Sequence, residues 1–187
     1  MSFMLGLLVL GVIFLGVPLW MVGVYNHLVT LRNLVEALWA QTDVQLRRRH
    51  DLIPNLVETV KGYATHERET FEKVIQARNT ARDATAPQAK ADAEGALTGA
   101  IKSVFAIAEA YPELKANKSF LSLQEELTRT EGFVAECRRQ YNDSVLAYNN
   151  AMQVFPANIV ARMIKFQHRE YFGVPDIAER EPAKVQF

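Results

Sequence analysis

No aspartate, glutamate, lysine or arginine occurs between Met1 and Leu31, so nothing in that stretch resists transfer into hydrocarbon. Within it, Phe3 to Val24 reads FMLGLLVLGVIFLGVPLWMVGV, close to the ~20 apolar residues that cross a ~30 Å hydrocarbon core. The marks of a cleaved signal peptide are missing: there is no charged n-region, no short apolar run and no small-x-small site. No cysteine stands just after the apolar run, as a lipoprotein would need. Cys137 is the single cysteine, which excludes an intrachain disulfide and a Cys-rich metal site. Charge of one sign is not in excess either. The chain has 21 Lys plus Arg against 21 Asp plus Glu, so it lacks the net field that nucleic-acid binding uses, and no nucleic-acid partner is expected. Alternating β-branched runs are absent, so no strand or hairpin is expected.

What is present is a retained anchor followed by helices. Residues 3–24 are read as the bilayer span, with Pro18 tolerable in a membrane helix and with Trp20 and Tyr25 suited to the interface. Arg32 and then Arg47, Arg48 and Arg49 follow the span with no cation before it, which favours a soluble domain in the cytoplasm; a periplasmic or extracellular domain is the alternative. Leu31, Val35, Leu38, Thr42, Leu46, Arg49, Ile53, Leu56 and Val60 recur at three- and four-residue intervals and mark a long amphipathic helix. Pro54 falls in its middle, and the sequence leaves open whether the helix kinks there or a new one starts. Phe71, Val74 and Ile75 continue the pattern to about Thr85. Leu97, Ile101, Val104, Phe105, Ala108 and Tyr111 mark a further helix that Pro112 ends. From a cap at Asn117 or Ser119, a helix runs to about Val154, with Leu127, Val134, Tyr141, Val145 and Tyr148 on one face. A short helix, Asn158 to Phe166, is expected next.

These helices, joined by short connections, predict an all-α chain: an N-terminal transmembrane helix, then an antiparallel up-and-down four-helix bundle. The expected division is an anchor at 1–27, a bundle domain at 28–172 and a loosely ordered tail at 173–187.

Three long blocks carry a family resemblance. They are YNHLVTLRNLVEALWAQTDVQLRRRHDLIPNLVETVKGYATHE (Tyr25 to Glu67), EAYPELKANKSFLSLQEEL (Glu109 to Leu127) and RRQYNDSVLAYNNAMQVFP (Arg138 to Pro156). In that order they resemble the LemA family of bacterial membrane proteins, and the likeness extends to about Phe172. Residues 80–100 match less well. The resemblance implies an N-terminal anchor and a four-helix bundle with no accepted biochemical activity. It also implies a bacterial inner-membrane location and, through the gene company of family members, a membrane metalloprotease as a partner to consider.

Chemistry is hard to find. Helical bundles hold metals through carboxylates and Glu-x-x-His pairs, but Val24, Arg47, Tyr63 and Lys165 stand three residues before His27, His50, His66 and His168. His66-Glu67 opens like the zinc-protease motif, yet Thr70 occupies the second ligand's place. Cys137 reads as a small apolar filler. No catalytic residue, metal ligand or cofactor is therefore assigned. Arg47-Arg48-Arg49 suggests lipid headgroups, but lies ~33 Å along a straight helix from the span and reads better as solvated or paired.

Two constellations remain. Tyr141-Asn142 and Tyr148-Asn149 repeat at seven residues and form either packed tyrosines or a partner-binding edge. Arg49 interrupts an apolar stripe, and a buried guanidinium requires a carboxylate. Glu131, between Leu127 and Val134, is the expected partner, with Glu109 the runner-up and Arg138 near enough to join a network. Function is accordingly expected to be that of a membrane-anchored, self-associating scaffold or interaction protein. Gly6, Gly11, Gly16 and Gly23 offer small-residue surfaces in the span. The alternatives are an accessory of a membrane metalloprotease or envelope-stress pathway, and an undescribed hydrolase.

Overall fold

The computed structural model describes residues 12–64 and 66–173. A π-helical turn, Val12–Gly16, leads into α1 (Val17–Lys61), followed by α2 (Arg68–Asp83), α3 (Pro87–Ala110), α4 (Pro112–Lys115), α5 (Lys118–Gln153) and α6 (Ala157–Met163). The chain is all-α: no strand occurs among the described residues. Among the described residues one helix is long and apolar enough to cross a membrane, and it lies near the N-terminus. Phe14, Leu15, Leu19 and Val22 are more than half exposed on it. The expected span at 3–11 and the expected tail beyond Gly173 lie outside the described residues.

α1 neither stops nor restarts at Pro54. It runs for 45 residues with Pro54 inside it, about 68 Å at 1.5 Å per residue. Proline has no N–H to give the carbonyl four residues earlier, which is that of His50. That carbonyl accepts instead from Arg78 Nε of α2 at 3.2 Å, and the Pro54 ring points outward to solvent. A cation from a neighbouring helix thus supplies the missing donor.

The chain divides into two compact units. The larger comprises 40–139 and the segment from Glu170, so that four long helical stretches, from α1, α2, α3 and α5, share one core. Their connections are short, which sets successive helices antiparallel. Ile53, Leu56 and Val60 of α1, Val74 of α2, Leu97 and Val104 of α3, and Leu114 of α4 are fully buried in this unit. Each such side chain contributes ~1.5–3 kcal/mol of burial free energy. Prolines open two of the helices, at Pro87 and Pro112, where a missing N–H costs nothing. Pro112 therefore begins α4 as well as following α3. Asn117 Oδ1 accepts the Phe120 N–H at 3.1 Å and caps α5.

The smaller unit comprises residues up to Trp39 and 140–169. Its buried side chains include Leu28 and Val35 of α1, Tyr141, Val145, Tyr148 and Met152 of α5, and Val160 of α6. The Trp39 and Tyr141 rings lie 5.1 Å apart. α6 ends at Met163, three residues before the expected Phe166, because Lys165 turns into the left-handed region at φ 59°. Phe166 N–H donates to Ala161 O at 3.0 Å and Lys165 N–H to Arg162 O at 3.2 Å. This is the Schellman pattern, with lysine where glycine is usual.

Candidate functional site

In the larger unit, α1 presents Arg49 and His50 side by side to one carboxylate. Arg49 Nη1 donates to Glu94 Oε2 of α3 at 3.0 Å, and its Nη2 to the Thr98 hydroxyl at 2.8 Å. His50 Nε2 lies 2.5 Å from Glu94 Oε1; a carboxylate only accepts, so Nε2 carries the proton of that bond. All three ionisable groups are at least nine-tenths buried. The expected partner is corrected: Arg49 meets Glu94, while Glu131 is exposed on α5 and Glu109 pairs with Lys115 at 2.5 Å. Glu94 stands three residues before Leu97 and seven before Ile101, on the buried stripe of α3, whereas Glu131 is turned away from the core. Arg138 does not join this network. Its Nε and Nη2 donate to the carbonyls of Phe172 and Gly173 at 3.0 and 2.9 Å. Gly173 has φ +63°, and a Cβ there would stand 2.8 Å from Arg138 Nη2, so a side chain at this position would be strained and would displace the guanidinium.

The neighbouring arginines are also satisfied. Arg47 lies 2.7 Å from Asp43, and Arg48 pairs with Glu126. Lys90, itself buried, reaches Asp43 at 2.8 Å. Burial pushes the Asp43 carboxyl up, but hydrogen bonding and attraction from Lys90 and Arg47 outweigh it, and the group sits below its ordinary value.

In the smaller unit, the tyrosine and asparagine pairs serve the chain itself. The Tyr148 hydroxyl donates to Gln167 O at 3.1 Å. Asn149 Nδ2 donates to Arg169 O, and its Oδ1 accepts the Arg169 N–H, both at 3.0 Å. Tyr141 is buried against Trp39, and Asn142 is half-buried. A partner-binding edge at Tyr148 and Asn149 is thus corrected: the segment after α6 already occupies both. Burial raises the Tyr148 phenol above its ordinary range, with Arg169 and Arg32 pulling the other way. Sequence reasoning missed this segment's role because backbone groups are its binding partners.

Between that segment and α1 lies a cleft of about 290 Å³, lined by Tyr25, Arg32, Tyr148, Lys165, His168 and Arg169 among others. The Arg32 guanidinium lies 5.9 Å from the Phe166 ring centroid, and Tyr25 and Phe166 lie 6.0 Å apart. Arg169 pairs with Glu36 at 2.6 Å. Among the described residues, no group of three or more His, Cys, Asp or Glu is placed to hold a metal ion. Cys137 is buried, and that burial, helped by the Glu136 carboxylate, pushes its thiol up.

These features define a class: an all-α bundle protein built on a helix that is apolar enough at its start to enter a membrane. The LemA family profile matches residues 38–187, and the chain belongs to the LemA family. It is similar to "Protein LemA" of Metamycoplasma hominis, 26% identical over 160 residues, covering 83% of this chain and 72% of that one. It is also similar to "Magnetosome protein MamQ" of Magnetospirillum gryphiswaldense, 24% identical over 174 residues, covering 79% of this chain. "Magnetosome protein MamQ 2" of Paramagnetospirillum magneticum is 23% identical over the same length. This chain spans 64% of the length of each of these magnetosome relatives.

Proposed function

We propose that this protein is a membrane-anchored interaction protein that self-associates and acts through contacts rather than through catalysis of its own. The observation that carries the reading is the unbroken α1. Its start is apolar and exposed, and its end supplies Ile53, Leu56 and Val60 to the bundle core. A bundle fixed to a span is confined to a thin layer, which raises its effective concentration toward neighbours and lets modest contacts produce assemblies. Phe133 and Leu121 on α5 and Val44 on α1, each about half exposed, are apolar surface available for such contacts. We place the anchor in the bacterial inner membrane as a single pass, with the bundle in the cytoplasm, in line with the cations that follow the span.

Size-exclusion chromatography with light scattering of the full chain in mild detergent tests the reading. An oligomer that Phe133→Asp shifts toward monomer is expected. A strict monomer at high concentration removes self-association. Recovery of a metalloprotease by in vivo cross-linking, without self-cross-links, would favour an accessory of that enzyme instead.

A further inference from the structure

We infer that the cleft between α1 and the segment after α6 is a phosphate-binding site, and that its natural occupant is the phosphate of an anionic phospholipid headgroup. The inference uses the membrane anchorage proposed above but not self-association.

The first observation is uncompensated charge. Arg47, Arg48 and Arg49 all meet carboxylates. Arg32 and Lys165 in the cleft meet none among the described residues, and Arg32 Nε is buried without any acceptor. Glu36, one turn beyond Arg32 on α1, is taken by Arg169. The described part of this unit carries four Lys or Arg (Arg32, Arg162, Lys165, Arg169) against two carboxylates (Glu36, Asp143), in a chain whose total charge is zero. A buried guanidinium donor with no acceptor is costly, and a phosphate is the planar fork's usual complement.

The second observation is backbone strain. Lys165 occupies the left-handed position that glycine fills at no steric cost, whereas the Cβ of an L side chain is crowded there. Strain retained at a cationic side chain that lines a cleft fits a need for that side chain.

The third is location. Arg32 lies seven residues beyond Tyr25, ~10 Å along the helix, and Tyr25 itself lines the cleft. In the same unit Phe155 is 75% exposed and Met163 65% exposed, with Ile159 at 50%. A second groove, lined by Trp20, Val24 and Leu28 of α1 and by Ala151 and Ala157, places the α5–α6 turn beside the end of the apolar segment. Exposed apolar side chains at that level fit lipid, and cations just beyond them fit its headgroups.

The test uses the full chain in nanodiscs of phosphatidylcholine and phosphatidylglycerol in equal amounts, with retained lipids identified by native mass spectrometry. Wild type should keep phosphatidylglycerol in several-fold excess. Arg32→Gln and Lys165→Gly should each abolish the excess, and Arg47→Gln should not. Lys165→Gly should also raise the melting temperature, which separates loss of binding from loss of folding. A second arm titrates detergent-solubilised protein with inorganic phosphate. Saturation there, without lipid preference, would keep the anion site and reject the lipid as its occupant. No preference in either arm, or a preference unchanged in both variants, overturns the inference. Failure to enter nanodiscs at all would count against the anchorage rather than the cleft.

Discussion

At the scale of single residues, the polar groups in the core matter most where one side chain satisfies several others. Glu94 is the one carboxylate that meets both Arg49 and His50 among the described residues. Glu94→Ala leaves a buried guanidinium unpaired and should destabilise by ~3–5 kcal/mol in chemical denaturation. Arg49→Met combined with Glu94→Leu should recover part of that loss, since only His50 Nε2 then lacks an acceptor. Additive effects in the cycle would mean that the pair does not act as one. Asp43 makes a pH prediction. Its folded-state value lies below the ordinary one, so the folded protein binds that proton more weakly than the unfolded chain does. The stabilisation is therefore full above the unfolded value of about 3.9 and is lost as pH falls through the lower folded value. Asp43→Asn should weaken the protein at neutral pH and flatten its acid limb in pH-dependent thermal melts. The need to pair Arg49 was legible because a charge in an apolar stripe requires a partner. Glu94 itself was not, because α3 is alanine-rich at that level and large apolar residues mark its stripe only from Leu97 onward. The partners of Tyr148 and Asn149 left no trace in the sequence, because a backbone carbonyl looks the same under any side chain.

Among the elements, α1 carries the most consequence, and its continuity depends on a residue outside it. Periodicity showed apolar positions on both sides of Pro54 in one register. It could not show whether the helix survives the proline, because the substitute donor comes from Arg78, remote in sequence. Pro54→Ala restores the backbone donor at an exposed site and should stabilise the protein by up to ~3 kcal/mol. Arg78→Met should cost less in the Pro54→Ala background than in wild type, because the His50 carbonyl then has its own helical partner. Equal costs in the two backgrounds, measured by urea denaturation, would show that Arg78 does not serve that carbonyl. α6 stops short of the expected Phe166 for a related reason: a helix stop made by a lysine at positive φ has no glycine to announce it.

For the whole molecule, the fold class was readable from helical periodicity and from an apolar run free of charge, since both are repeated over many residues. A balanced total charge concealed the local excess of cations around the cleft, which only the folding of residues 162–169 against α1 brings together. The proposed orientation predicts that alkaline phosphatase fused after Phe187 is inactive and that a cytoplasmic reporter at the same place is active; the opposite pattern would move the bundle across the membrane. The central claim is that the apolar start of α1 holds an independently packed helical bundle in the bilayer. Alkaline carbonate extraction of membranes tests it most directly, comparing the full chain with one lacking Met1 to Tyr25. The core of the larger unit begins well beyond that deletion. The account predicts that the full chain stays in the membrane pellet while the shortened chain is released and remains strongly helical by circular dichroism. Release of the full chain by carbonate, or loss of helicity in the shortened one, would contradict it.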